Sequence, residues 1–106
     1  MRGFRRSIVA LVVVLSACGG TGERACDLLG DLPERAEFAS REQLLEVADA
    51  ARESDVAEIR MIGQELTTNM ARGQAFERLA PGLALDVIQF NLDDLRRACR
   101  DLGQEG

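Results

Sequence analysis

Three cysteines, Cys18, Cys26 and Cys99, carry most of the chemistry open to this 106-residue chain. A thiol can take a lipid, pair in a disulfide or hold a soft metal. The surrounding inventory is narrow. The chain has no His, Trp or Tyr, all thirteen basic residues are Arg, and only Ser40 and Ser54 remain as serines beyond Cys18. Without His there is no general base with an unperturbed pKa near neutrality and no Ser–His or Cys–His nucleophile pair. The expectation is a protein that is not an enzyme and uses no cofactor.

The carboxylates do not assemble a metal site on paper. Asp86, Asp93 and Asp94 lie in helical sequence, whereas calcium asks for several oxygens converging from a loop. Asp93 precedes Arg97 by four residues and Arg97 precedes Asp101 by four, which fits an exposed salt-bridge ladder. With no His and no further thiols a zinc site is excluded, and the cysteine spacing is not Cys-x-x-Cys. Arg96, Arg97 and Arg100 form a basic cluster, best read as cations in the last turns of a helix, where the macrodipole favours them.

Cys18 closes an apolar run. Arg2, Arg5 and Arg6 precede it without any acid, and Ile8 to Ala17 is hydrophobic. A basic head before an apolar core of about 7–15 residues is the layout of a secretory signal peptide. The run is short of the roughly 20 residues a membrane span needs. Val9, Val12, Val13 and Val14 sit all round a helix with no polar face, which favours a signal peptide over a buried core helix.

Leu15-Ser16-Ala17-Cys18 resembles the lipobox of bacterial prolipoproteins, in which Leu and two small residues precede the acceptor Cys. The resemblance implies a thioether-linked diacylglycerol on Cys18, with Leu15, Ser16 and Ala17 read by a lipoprotein signal peptidase that cleaves before Cys18. It covers the first 18 residues and implies nothing about the rest. On this reading residues 1–17 are a cleaved signal peptide, 18–22 a lipidated tether and 23–106 one helical domain. The expected location is the cell membrane, lipid-anchored at its extracytoplasmic face. A tether of four or five residues reaches only about 15 Å.

Outside the cytoplasmic membrane thiols are not kept reduced, so Cys26 and Cys99 are expected to pair in a disulfide. Such a bridge closes most of the domain into one loop, worth roughly 4 kcal/mol on the chain-entropy model. That is comparable to the stability of a whole small domain. The net charge of −5 becomes −8 once the three leading arginines are removed, ten Arg against eighteen acids. This balance argues against a nucleic-acid partner, which requires basic patches.

The elements that must position these residues read as helices throughout. Glu23 to Leu32 carries Cys26, Leu29 and Leu32 on one side and ends at Pro33, and Pro33 to Ala39 reads as a loop. Ser40 and Gln43 form a capping box that opens a helix to about Glu53, with Leu44, Val47, Ala48 and Ala51 inward. Ser54 or Asp55 is expected to cap the next helix, whose stripe is Val56, Ile59, Ile62, Leu66 and Met70. Gly63 beside that stripe points to a close helix approach, and Gly73 to a helix stop.

Gln74 to Leu79 reads as a helical turn, broken by Ala80-Pro81-Gly82. The last helix spans Leu83 to Leu102, stopping at Gly103, with a seam of Leu85, Ile88, Leu92, Leu95, Cys99 and Leu102. Val87 and Phe90 off that seam point to burial on more than one side. No alternating strand pattern competes. The expected fold is a small all-α helical bundle of three to four helices with one disulfide, following a cleaved signal peptide.

Two bulky side chains, Phe38 and Met61, are expected to be exposed, while Met70, Phe76 and Phe90 are expected to help fill a small core. Thr67-Thr68-Asn69 is an uncharged polar patch. The leading functional expectation is a small lipid-anchored envelope lipoprotein that binds another envelope or membrane protein at the outer face of the membrane. The alternatives are a carrier or sensor of a small apolar ligand or lipid, and a phage-exclusion or immunity-type lipoprotein.

Overall fold

A computed structural model describes residues 22–105. The proposed signal peptide, with Leu15, Ser16, Ala17 and Cys18, lies outside the described residues. Among the described residues there are five α-helices and no strand: α1 Glu23–Gly30, α2 Arg41–Arg52, α3 Ala57–Ala71, α4 Gly73–Leu79 and α5 Leu83–Glu105. A short 3-10 turn, Ala36–Phe38, sits between α1 and α2. The all-α expectation holds, with one helix more than foreseen because the Gln74–Leu79 turn is a helix in its own right.

Helix α2 begins where the capping box places it. The Ser40 hydroxyl accepts from the Gln43 amide at 3.0 Å, and the Gln43 side chain accepts from the Ser40 amide at 2.9 Å. The next helix corrects the expected cap. It starts at Ala57 with Val56 at the N-cap and no side-chain cap. The Ser54 hydroxyl accepts from the Val56 amide at 3.0 Å instead, inside the turn that reverses the chain before α3 can start.

The glycines also divide. A Cβ on Gly63 would lie 2.7 Å from both the Ala51 Cβ and the Arg52 amide nitrogen, so Gly63 is where α2 and α3 touch. Gly73 is not a left-handed stop; α4 opens on it directly after α3. Nor does α5 stop at Gly103, which continues the helix to Glu105. A glycine ends a helix by taking positive φ, and among the described glycines only Gly82, in the Pro81 turn, does so at +83°.

The core lies between α2, α3 and α5, with α1 closing one end. Ile59 and Leu66 of α3 meet Val47 and Ala51 of α2 and Leu92 and Leu95 of α5 in one cluster, all essentially without solvent contact. One expectation about α5 fails. Phe90 is 64% exposed. It stands two residues from both Ile88 and Leu92, about 200° round the helix from each, so it faces away from the core they enter. Phe76 is only half-buried, leaving Met70 as the one member of that bulky trio inside.

Candidate interaction surface

The helices run antiparallel, which gives the bundle two unlike ends. At one end lie Gly22, the α2–α3 turn and the C-terminal part of α5. Cys26 of α1 and Cys99 of α5 are joined there in the expected disulfide. Gly22 is itself buried: a Cβ on it would meet Ile59 Cδ1 and Leu102 Cδ2. An open groove of about 650 Å³ lies here, walled by Cys26, Val56, Cys99 and Leu102 and edged by Glu23, Asp27 and Asp55.

A strap from Asp31 to Ala39 then runs along α5 toward the other end. It is held by polar side chains that periodicity does not flag. Arg96 donates to the Pro33 carbonyl at 3.1 Å. Gln89 donates to the Glu34 carbonyl at 3.0 Å and accepts from the Ala36 amide at 2.7 Å. Arg96 is thus a structural anchor of the strap.

At the far end lie the start of α2, the end of α3, all of α4 and the start of α5. Helix α4 has no buried residue, and Leu79 on it is 77% exposed. Besides the half-buried Phe76, Glu77 ties α4 to the helix that follows. One carboxylate oxygen accepts from the Gly82 amide at 3.0 Å and the other from the Ala84 amide at 2.9 Å. These amides belong to the N-terminal turn of α5, whose donors have no partner within the helix. The two hydrogen bonds hold the Glu77 carboxyl below its ordinary value of 4.5. The one sequence signal for this clamp is an acid placed just before a Pro-Gly turn that opens a long helix.

Between α4 and the neighbouring ends of α2, α3 and α5 is an open groove of about 860 Å³. Its floor includes Met70, Ala84 and Leu85, and Arg41 and Arg78 stand in its wall. Leu85, expected in the seam of α5, is 41% exposed because the seam runs out into this groove.

The remaining singled-out residues are structural. Asp93 pairs with Arg96 at 3.3 Å and Asp94 with Arg97 at 3.0 Å, three residues apart instead of the four expected. Asp93 also accepts from Gln89 at 3.0 Å, and Asp86 stands apart near the strap. No group of three metal-ligating side chains occurs among the described residues. Arg100 lines a shallow hollow over the disulfide. Thr67 donates back to the Gly63 carbonyl at 2.9 Å. Asn69 donates to Asn91 at 2.8 Å, and Asn91, 1% exposed, donates to Glu65 at 3.2 Å. Phe38 and Met61 are exposed, as expected.

No helix of the described residues is long and apolar enough to cross a membrane. No family model, curated protein or solved structure matches this chain.

Proposed function

We propose that this protein is a lipid-anchored envelope lipoprotein, held by diacylglycerol on Cys18 at the extracytoplasmic face of the cell membrane, and that its bundle is a non-enzymatic module for binding another envelope protein. The anchor rests on Leu15-Ser16-Ala17-Cys18 after a basic head and a short apolar core. One acyl chain binds a membrane only marginally, whereas two make the attachment stable. With Cys26 and Cys99 joined to each other, Cys18 is left as the thiol available for lipid.

The observation that carries the binding role is the polarity of the bundle. The disulfide-closed end lies at Gly22, four residues from Cys18, and its groove is edged by Glu23, Asp27 and Asp55. Those carboxylates are repelled by anionic headgroups, so the domain stands away from the surface. Helix α5, with 23 residues at about 1.5 Å each, carries the other end some 34 Å outward. There the open groove, the exposed Leu79 and the unburied α4 face whatever lies beyond the membrane. The absence of His, Tyr and Lys supports the non-enzymatic reading.

A carrier of a small apolar molecule ranks second. Ligand sites of that kind bury about 70–90% of their ligand, whereas both large grooves here are open along one side.

The anchor is tested by replacing Cys18 with Ala and following labelled palmitate and membrane fractionation. The wild type takes up label and sediments with membranes; the variant does neither. A wild type that takes up no label removes the anchor. For the binding role, photo-cross-linking in cells from positions on the exposed faces is expected to trap a specific envelope protein, and failure at every face removes it.

A further inference from the structure

Building on that binding role, we propose that the α4-end groove is the docking site, and that its occupant is an acidic amphipathic segment of a partner protein. Its apolar side would sit on Met70, Ala84 and Leu85, and its carboxylates would pair with Arg41 and Arg78.

Charge carries the choice of occupant. The chain as a whole is acidic, with eighteen acids against thirteen arginines. Around this groove the balance reverses. Arg41 and Arg78 are exposed, and neither has an ion-pair or hydrogen-bond partner among the described residues. The one acid in the wall, Glu77, has both carboxylate oxygens committed to the Gly82 and Ala84 amides. The lining therefore carries two cations against one carboxylate, whose oxygens are turned to the Gly82 and Ala84 amides, beside the apolar Met70, Ala84 and Leu85. The arginines of the α5 outer face contrast with this: Arg96 and Arg97 are each paired with an aspartate.

Shape decides the class. A volume of about 860 Å³ is at the upper end for a small-molecule site. The groove is open to solvent and does not enclose such a ligand, and apolar residues set between charged ones at an open surface are what an amphipathic helix docks on with anchors at i, i+3, i+4 and i+7. Two arginines are too few for a membrane patch, which takes about four to eight basic residues.

The test pans a displayed library of random 15-residue peptides on the immobilised full chain, held in phosphatidylcholine nanodiscs where it carries lipid. Enriched peptides are expected to be net acidic with helical apolar spacing. Reversing both charges, Arg41→Glu with Arg78→Glu, is expected to weaken them about tenfold or more and to lower their sensitivity to salt. Both arginines are exposed and unpaired, so circular dichroism should show the fold unchanged. Leu85→Glu, which spoils the floor, should abolish binding in a chain that keeps its arginines.

Enrichment of basic or neutral peptides, indifference to the charge reversal, or no enrichment overturns the proposal. So does binding of radiolabelled oleate that Leu85→Glu abolishes, since that assigns the groove to a fatty acid. Cross-linking in cells from Gln74 and from Phe90 separates this proposal from the reading beneath it. A specific partner trapped from Phe90 or another exposed face but not from Gln74 keeps the module and overturns the groove, whereas none from any exposed face overturns both.

Discussion

The two ends of the bundle are built on different principles. At the Gly22 end the chain is closed covalently between Cys26 and Cys99 and packed without room for a methyl group at Gly22 or Gly63. At the α4 end no residue of α4 is fully buried, and the side-chain hydrogen bonds from α4 to the start of α5 are those of one carboxylate, Glu77, to two amides. A domain this small has little apolar surface to bury. Concentrating its close packing at one end leaves the other freer to open locally, since regions with few buried contacts open at the lowest free energy.

The sharpest way to break this contrast is to open the disulfide. Cys26→Ser with Cys99→Ser removes a cross-link between residues 73 apart, with an expected loss of about 4 kcal/mol. Thermal melts should show a steep fall for the variant, or for the wild type in reductant. A small fall would mean that the helices alone hold the Gly22 end. Next in size is Gly63→Ala. Its Cβ would press on the Ala51 Cβ and the Arg52 amide nitrogen, both at 2.7 Å, and backbone does not yield cheaply. Overpacking of this kind costs about 1–3 kcal/mol. Denaturant midpoints should fall accordingly, and an unchanged midpoint would show that α2 and α3 can slide apart.

Much of the helix layout and of the core was legible in the sequence, because its devices are local or periodic. The Ser40–Gln43 box, the stripe of Ile59, Ile62 and Leu66, and a glycine beside that stripe each announce themselves within a few residues. The two cysteines followed from compartment and count. What escaped depends on contacts between one element and another. Glu77 became a cap for a helix it does not belong to, and Gln89 and Arg96 bind a strap more than fifty residues earlier. Asn91 carries no such signal, because a single Asn in a helix reads as surface. The fold instead gives it Asn69 and Glu65 as partners across α3, which is how a buried amide becomes tolerable. Phe90 misled for the opposite reason: a bulky apolar residue was credited to the core by type, although its angle from Ile88 and Leu92 points it outward. The groove left no sequence signal, since its walls come from the ends of four helices.

The smallest effect, and the one that tests the looser end alone, concerns Glu77. Its carboxyl is held below 4.5 by the two amide hydrogen bonds. The folded protein therefore binds that proton more weakly than the unfolded chain, so the clamp's contribution is fully present above 4.5 and is lost as pH falls through the lowered value. In amide nuclear magnetic resonance spectra, Gly82 and Ala84 should titrate together with an apparent pKa below 4.5, while amides around the disulfide stay still. Glu77→Gln offers one acceptor oxygen in place of two. It should erase that titration and raise hydrogen exchange at Gly82 and Ala84, leaving the melting temperature nearly unchanged. A fall in global stability as large as that of Gly63→Ala would make the clamp a support of the whole bundle. The two ends would then be a single cooperative unit, and the freedom assigned to the α4 end would go with it.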